Sequence, residues 1–506
     1  MELTLRQKIG QLVLYSMDGR EIDERTDSIL REYCVGNVIH FGNNVSDYEA
    51  SRALNEQLCE KIKEYCANVP PFISVDHEGG RVMRFGADFT WFPSSMALGA
   101  ADDAAATEAV GQAMGQELRA AGFNLNFAPV VDIVHDYTSP VMGVRCFGDT
   151  IDIVTRHGAA LARGLQSAGV MACLKHFPGT GHTKQDTHYF QPTVDLTLEE
   201  LEADELAPYR AILGKNGCDS VMTTHILFPK IEERDVPATM SSTILKGILR
   251  NSVGFDGVIV TDGIQMKAIA DHYGVERGCI EAIKAGCDLL CIGTGGDGVQ
   301  DVECSCMEAL YQAALSGEIP MERIDEAVAH ILTAKRKYCT PEVPEPAFEQ
   351  HAAFNDKISL KAVTEIVPGT LEGKVLCVSA PVRELAYGLG HADPRSQSFA
   401  KIAAEELNAP WTALREGEEL PQDFDTLLIG VTYVNPDGLE MQAAQKALSA
   451  GKKVVFMLLG TPYGAKLLPK DCPAVCIYGL SRPAVKAAVK VLTGESKPEG
   501  KLPVTL

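Results

Sequence analysis

The stretch VMACLKHFPGTGHTKQDTH, residues 170–188, joins a short apolar run to a loop crowded with reactive side chains. The apolar part, residues 170–174, is continuously hydrophobic, as expected of a parallel strand buried on both faces. The remainder contains histidines, lysines, an aspartate and two glycines. Barrel enzymes carry their catalytic groups in loops at the carboxyl ends of such strands. The stretch therefore predicts both an α/β fold and a reaction site.

Similar apolar runs that end in polar residues recur over about 300 residues and alternate with helical patterns. The predicted strands cover residues 36–41, 71–76, 125–132, 172–177, 219–225, 257–262 and 288–293. Helical patterns lie between them, for example over 104–121 and 199–213. This alternation predicts an N-terminal (β/α)8 TIM-like barrel, with a doubly wound open sheet as the alternative.

Polar residues at the predicted strand ends favour the barrel. They are Asp76, Asp132, Lys175-His176, His225 and Asp262. In a barrel of parallel strands, the carboxyl ends open on one face. We therefore expect these side chains to converge.

The barrel is predicted to span residues 1–338, because a proline-rich segment follows its last helical pattern. Residues 339–349 form the predicted linker. Residues 350–506 then alternate strand-like and helical patterns again, which predicts a smaller C-terminal α/β sandwich domain. This second domain shows no phosphate-binding glycine motif and no catalytic group of residues.

Composition excludes several classes of protein. A net charge of −22 would repel nucleic acid and anionic lipid, so neither is an expected partner. No apolar run is long enough to span a membrane, and residues 1–11 are too polar for a signal peptide. We therefore expect a cytoplasmic protein. Fifteen scattered cysteines agree with reduced thiols, and no metal or cofactor is predicted.

Two positions carry the strongest chemical signal. Asp262 ends an apolar run and precedes a glycine, so its carboxylate is expected to stand uncovered at a strand tip, although helix capping is the plain alternative. Asp186 and His188 are two residues apart and project to the same side of an extended backbone. A carboxylate beside an imidazole orients it and stabilises its protonated form.

Asp76, Arg84 and Arg145 are weak signals individually, since each could serve only in a structural ion pair. Their placement with Asp262 and the 175–188 loop favours a site that binds a polyhydroxylated substrate and attacks it with a carboxylate.

These segments resemble glycoside hydrolase family 3, and in particular its β-N-acetylglucosaminidase branch. The resemblance rests on Val75 to Val82 (VDHEGGRV), Lys175 to Gly179 (KHFPG), Asp186-Thr187-His188 and Val260 to Gly263 (VTDG), and it covers the whole barrel. The end of the chain, residues 494–506, also resembles the end of the family's second domain.

The resemblance implies a role for each matching residue. Asp262 corresponds to the nucleophile, His188 to the general acid/base, and Asp186 to its assistant. The residues that match the sugar-binding positions are Asp76, Arg84, Arg145, Lys175 and His176. The family's β-glucosidases take their acid/base from a later domain, so the Asp-x-His loop favours the N-acetylglucosaminidase branch. Thr180 and His182 depart from that branch, which usually has histidine and aspartate there.

The resulting expectation is a retaining exo-β-N-acetylglucosaminidase that acts on small glycans or muropeptides through a glycosyl-aspartate. There are four alternatives. A histidine acid/base would tolerate phosphate as acceptor, which allows a phosphorylase, and a β-glucosidase of the same family is the next alternative. His176, His182 and His188 beside Asp186 allow a metal-dependent hydrolase, although the usual ligand motifs are missing. A noncatalytic sugar-binding protein would need Asp262 or His188 to be lost, and both are present.

Overall fold

The computed structural model describes residues 3–85, 88–137, 139, 141–293, 302–342, 344–380 and 398–506. Within these residues the chain forms an eight-stranded parallel sheet, followed by a second sheet of six strands. The first sheet curls into a nearly closed barrel. The predicted fold class, a TIM-like barrel followed by a smaller α/β sandwich, is confirmed.

The barrel wall closes through backbone hydrogen bonds. Its strands are β1 (Val13–Tyr15), β2 (Asn37–His40), β3 (Phe72–Val75), β4 (Leu125–Asn126), β5 (Met171–Phe177), β6 (Ser220–Thr223), β7 (Val258–Thr261) and β8 (Leu290–Ile292). Strand order follows the chain, and β8 pairs with β1. Between β7 and β8, the Thr261 amide donates to the Leu289 carbonyl at 3.0 Å. All the carboxyl ends of the strands therefore face one mouth of the barrel.

Helices surround this wall in the described residues. They are α1 (Leu5–Gln11), α2 (Glu24–Glu32), α3 (Tyr48–Tyr65), α4 (Ser95–Ala101), α5 (Ala104–Ala120), α6 (Ile151–Ser167), α7 (Leu198–Glu202), α8 (Leu206–Leu213), a π-helix (Thr243–Ser252), α9 (Lys267–Tyr273), α10 (Val275–Ala285), α11 (Val302–Leu315) and α12 (Met321–Tyr338). Short polar side chains set where many of them begin. The Asp103 carboxylate, for example, accepts the Ala106 amide at 3.0 Å ahead of α5. Close packing of α5 on α6 requires Gly164, since a Cβ there would lie 2.2 Å from the Glu108 carbonyl oxygen.

The second sheet is parallel except at one edge. Its strands are β9 (Thr364–Val367), β10 (Val375–Ser379), β11 (Trp411–Ala413), β12 (Thr426–Val431), β13 (Lys453–Leu458) and β14 (Ala474–Cys476). The order is β11-β10-β12-β13-β14-β9, with β9 antiparallel to β14. One face packs on α14 (Phe399–Leu407) and α16 (Arg482–Leu492), and the other packs on α15 (Leu439–Ser449). Helix α13 (Phe348–Ala362) packs on α4, α5 and α16, so it contacts both parts.

The face covered by α15 also packs on the barrel. Met142 and Cys146, in the loop after β4, share a buried apolar cluster with Ile429 of the second sheet. Near the end of the chain, the Thr505 amide donates to the Asp149 carboxylate at 2.6 Å. The second sheet therefore supports a loop at the carboxyl end of a barrel strand.

Three strands were not predicted, namely β1, β9 and β11. The strand predicted over residues 125–132 is shorter in the structure, where β4 covers only Leu125–Asn126. Pro129 lies within the predicted range and has no N–H to donate to a neighbouring strand. The helical pattern over 199–213 divides into α7 and α8. Pro208 cannot donate to the Asp204 carbonyl across that junction.

The division into residues 1–338, 339–349 and 350–506 stays a proposal. Helix α12 ends at Tyr338 and α13 begins at Phe348, while Val343 in the proposed linker lies outside the described residues.

None of the helices that the structure describes is long and apolar enough to cross a bilayer. The fifteen cysteines are all free thiols.

Candidate active site

The candidate residues meet at the carboxyl ends of the barrel strands. Asp76 follows β3, Lys175 and His176 lie near the end of β5, and Asp262 follows β7. The loop after β5 carries Asp186 and His188. Since the strands are parallel, their ends share the barrel mouth, and the expected convergence is observed.

A buried ion network occupies one side of this mouth. The Lys175 ammonium lies 2.8 Å from the Asp76 carboxylate and 2.7 Å from that of Glu78. The Arg145 guanidinium binds Glu78 through two hydrogen bonds of 2.8 Å each. Arg84 approaches Asp76 at 3.7 Å. Two carboxylates thus hold three cationic side chains in fixed positions at the barrel mouth.

The network keeps its members charged despite burial. Burial alone would raise the pKa of the Glu78 carboxyl, but Arg145 and Lys175 outweigh it and hold that pKa well below its usual range. Burial would lower the pKa of Arg145 and of Lys175, yet the carboxylates of Glu78 and Asp76 raise both. The side chains of Lys175 and Glu78 are only 2% and 3% exposed. Removing one partner would therefore leave the other as a buried charge without its counter-charge.

Replacing Glu78 with glutamine is therefore expected to lower the free energy of unfolding by about 3–5 kcal/mol, measured by urea denaturation. Glu308→Gln is the matched control, because Glu308 pairs with Arg6 at 2.8 Å at the surface. An exposed pair of that kind contributes about 1 kcal/mol or less. Similar losses in the two variants would contradict a structural role for the buried network.

His176 is held from behind by Asp132. Its Nδ1 lies 2.7 Å from Oδ2 of Asp132, whose other oxygen accepts the Thr180 amide at 2.9 Å. Asp132 is fully buried. The imidazole N–H must donate to this carboxylate, which orients the ring and leaves Nε2 for a ligand.

Backbone contacts hold the loop between Phe177 and His188. The Gly181 amide donates to the buried Glu205 carboxyl group at 2.8 Å, and the Ile133 amide donates to its other oxygen at 3.4 Å. A Cβ at Gly181 would lie 1.6 Å from the Ile133 carbonyl oxygen, so only glycine fits there. Burial, together with the Asp132 and Asp204 charges, raises the pKa of Glu205 well above its usual range.

Asp186 and His188 form a hydrogen-bonded pair in this loop. Nδ1 of His188 lies 2.7 Å from Oδ1 of Asp186, which also accepts the His188 amide at 2.9 Å. The His188 side chain is 31% exposed and that of Asp186 only 8%. The carboxylate thus lies behind the ring and leaves the far side of the imidazole open to a ligand.

The electrostatic environment of His188 favours its protonated form. Burial alone would lower the pKa of the imidazole, but the hydrogen bond that the ring donates to Asp186 and the charge of Asp262 outweigh it and raise that pKa. For Asp186, burial is outweighed by the same hydrogen bond, and the carboxyl pKa is lowered. A histidine whose pKa is raised is protonated more readily, and in that form it can donate a proton to a departing oxygen.

Asp262 stands at the tip of β7. Its Oδ1 accepts the Gly263 amide at 2.7 Å. Burial disfavours its charge, but the charges of His225, His176 and His188 outweigh burial and lower the carboxyl pKa. A carboxylate and an imidazole that act on each other electrostatically at the barrel mouth can supply a nucleophile and an acid/base group.

His225 fixes the backbone beside Asp262. Its Nε2 lies 3.0 Å from the Gly263 carbonyl oxygen, and its Nδ1 lies 2.8 Å from the Thr239 hydroxyl. Burial lowers the pKa of this imidazole, against the charge of Asp262. The Nε2–H of this ring donates to the Gly263 carbonyl and so positions the strand tip.

The structure brings together all eight residues predicted for the site, and it adds four others. These are Glu78, Asp132, Glu205 and His225. Glu78 carried a usable signal, because it lies two residues after Asp76 in a charged segment. Asp132 and His225 were predicted to lie at strand ends, but no role was assigned to them. Glu205 was not singled out, because an acidic residue in a helical pattern usually lies on the solvated face of the helix.

One alternative is not supported. His176, His182 and His188 contact three different carboxylates, those of Asp132, Asp204 and Asp186 respectively. Among the described residues, these three histidines form no common metal-ligand group. These histidines recur every six residues in the sequence, but the glycine-containing loop does not repeat a regular backbone conformation, so the spacing does not bring them together.

Comparison with known proteins identifies the family. Residues 4–334 match the Glycosyl hydrolase family 3 N terminal domain. The chain belongs to glycoside hydrolase family 3. It is similar to a solved family 3 β-N-acetylglucosaminidase from Paenibacillus sp. str. FPU-7, with a TM-score of 0.91 and 34% identity, over 100% of this chain and 99% of that chain.

Two further relatives of this family 3 enzyme are beta-hexosaminidases. Beta-hexosaminidase A of Pseudoalteromonas piscicida is 27% identical over 94% of this chain and 90% of its own length. A beta-hexosaminidase of Tolumonas auensis is 36% identical over 60% of this chain and 90% of its own length. The family 3 chain is thus a glycoside hydrolase, and the pocket at its barrel mouth is the candidate place for bond cleavage.

Proposed function

We propose that the protein is a retaining exo-β-N-acetylglucosaminidase that removes terminal β-linked GlcNAc from small glycans. The observation that carries this proposal is the Asp186–His188 pair, which acts electrostatically on Asp262 at the barrel mouth. The β-N-acetylglucosaminidase and beta-hexosaminidase names of its relatives support the same substrate class.

In the proposed first step, a carboxylate oxygen of Asp262 attacks the anomeric carbon. Protonated His188 gives its proton to the departing glycosidic oxygen, and a glycosyl-aspartate forms. In the second step, neutral His188 takes a proton from water, which attacks the same carbon and releases the sugar with retained configuration. Asp186 stabilises the charged imidazole in the first step and orients the ring throughout.

Substrate binding is assigned to the groups around these two. Asp76, Arg84, Arg145, Lys175 and His176 are the proposed sugar-binding residues. Lys175 and Asp76 are joined at 2.8 Å and can offer a donor and an acceptor side by side. Such an arrangement matches neighbouring hydroxyl groups on a sugar ring. Glu78 and Asp132 lie behind these groups and position them.

Phosphorolysis is the second candidate, because the acid/base is an imidazole rather than a carboxylate. An imidazole does not repel a phosphate dianion, and its protonated form attracts it. The nearby cations oppose this candidate, since each already faces a carboxylate. Lys175 pairs with Glu78 at 2.7 Å, Arg145 with Glu78 at 2.8 Å, and Lys184 with Asp136 at 3.4 Å. Hydrolysis is therefore the proposed reaction.

Product analysis tests the proposal. The protein would be incubated with a GlcNAc-containing disaccharide and with an aryl N-acetylglucosaminide, with and without millimolar phosphate. The expected product is free GlcNAc under both conditions, first released as the β-anomer. Dominant sugar 1-phosphate would establish phosphorolysis, and faster cleavage of the matching aryl glucoside would show a β-glucosidase. Muropeptide-derived and chitin-derived disaccharides are the proposed natural substrates in the cytoplasm and belong in the same assay.

The Asp186→Asn variant is expected to move the alkaline limb of the kcat/KM profile to lower pH. His188 must be protonated to act as the acid, and the Asp186 carboxylate raises its pKa. Removing that charge lowers the pKa, so the protonated form is lost earlier as pH rises. Profiles on an alkyl N-acetylglucosaminide measure the shift. An unmoved alkaline limb would assign the acid to another group. Combined with His188→Ala, the Asp186 change should add little further loss.

A further inference from the structure

A second cluster of reactive side chains lies beside the catalytic loop and plays no part in the proposed reaction. It consists of His135, His182 and Asp204. Nε2 of His135 lies 2.8 Å from Oδ2 of Asp204, and Nε2 of His182 lies 2.9 Å from the same oxygen. The two imidazole rings stack with centroids 3.8 Å apart. Three sequence-distant segments thus direct their ligand atoms at one point.

We propose that His135, His182 and Asp204 form a binding site for a divalent transition-metal cation, for which zinc is the best match. Two imidazole nitrogens and one carboxylate oxygen are ordinary zinc ligands, and a water molecule would complete a tetrahedron. The three ligand atoms lie within 4.8 Å of one another.

Binding of zinc needs two adjustments: a wider spacing between Asp204 and the imidazoles, and a rotation of the two rings, which stack at an interplanar angle of 16° and must each bring the ion into the ring plane. Zinc bonds of about 2.0–2.1 Å place tetrahedral ligands roughly 3.3 Å apart. The contacts to Asp204 are 2.8 and 2.9 Å, as expected of hydrogen bonds. Withdrawal of the carboxylate by about half an ångström would admit the ion, and an aspartate side chain can make that change by rotation.

Buried contacts hold the backbone of the three segments together before any metal binds. The Gly181 carbonyl, next to His182, accepts the amides of His135 and Asp136 at 3.3 and 3.2 Å. The Gly181 amide donates to Glu205, the neighbour of Asp204, at 2.8 Å. A site whose supporting contacts are already formed loses little entropy on binding.

The cluster can also be reached from solvent. The side chains of His135, His182 and Asp204 are 27%, 29% and 25% exposed. An ion bound there would join the loop that carries His188 to the junction between α7 and α8. It would contribute to the order of that loop without contacting the reacting atoms, so its role would be structural.

Zinc titration of the chelator-treated protein tests the site. Calorimetry should show a site that Asp204→Asn and His135→Ala each weaken by at least about tenfold. His272→Ala is the matched control, because His272 is an exposed histidine on α9 outside the cluster, and it should bind as the wild type does. Asp186→Asn should also retain the site, which separates it from zinc bound at the Asp186–His188 pair.

Two further readouts complete the test. Cobalt should give a tetrahedral visible spectrum with the wild type and with His272→Ala, but not with Asp204→Asn. Zinc should raise the thermal unfolding midpoint only where the cluster is intact. Circular dichroism checks the folding of each variant, and His135→Ala serves if Asp204→Asn does not fold. No zinc binding by the wild type, or equal binding by the cluster variants, would overturn the proposal. Neither readout depends on GlcNAc hydrolysis.

Discussion

Asp262→Asn is expected to reduce kcat on an aryl N-acetylglucosaminide by about a thousandfold or more. An amide cannot form the covalent ester, so the first displacement loses its nucleophile while the fold keeps a side chain of the same shape. Steady-state kinetics measure the loss, and circular dichroism checks the fold. Asp271→Asn, at an exposed aspartate on α9, is the matched control and should leave kcat unchanged.

A chemical test separates a lost nucleophile from general damage to the site. In Asp262→Gly, added azide can enter the vacated space and attack the anomeric carbon directly. A single displacement inverts the configuration, so the expected product is the α-glycosyl azide. Near-normal turnover by a folded Asp262→Asn, or a β-configured azide product, would remove Asp262 from the nucleophile role.

His188→Ala is expected to slow the first step on alkyl glycosides by about 10²–10⁴-fold. Alkyl alcohols leave poorly without a proton, and His188 is partly exposed while its Nδ1 is held by Asp186. Phenols with electron-withdrawing groups leave without assistance, so their first step should slow much less. Single-turnover kinetics on a series of leaving groups would measure the slope, with His272→Ala as the control variant. Equal losses across the series would mean that His188 only positions the loop.

The second step gives an independent check on His188. Deglycosylation needs a base to activate water, so glycosyl-enzyme should accumulate in His188→Ala when the leaving group is good. Mass spectrometry of the quenched protein would then find the sugar on Asp262. An added small nucleophile that needs no general base, such as azide, should restore turnover and give the β-configured product.

Much of the site could be predicted because its main residues are marked by the residues next to them in the sequence. Asp262 follows a four-residue apolar strand, and Asp186 and His188 lie within one short loop. The position of a strand end and a two-residue separation depend only on neighbouring residues. The barrel followed from repetition of the same local pattern, even though β1 was not predicted.

The supporting carboxylates could not be predicted in the same way. Glu78 and Arg145 are 67 residues apart, and Glu205 reaches the Gly181 amide from a separate helix junction. Their pairing depends on closure of the barrel and on the path of the loop after β4, which the second sheet supports through Met142 and Cys146. No pattern of neighbouring residues in the sequence predicts such contacts.

By itself, the sequence determined the strand–helix alternation, the identity of the groups at each strand end and the Asp186–His188 pair, because these depend on residues close together along the chain. Only the tertiary structure decided which charges face one another. It directed His182 to Asp204 and His135 instead of to His188, and it buried Glu78 between Arg145 and Lys175. The physical reason is that electrostatic and hydrogen-bond energies depend on distance in space, which packing of sequence-distant elements sets.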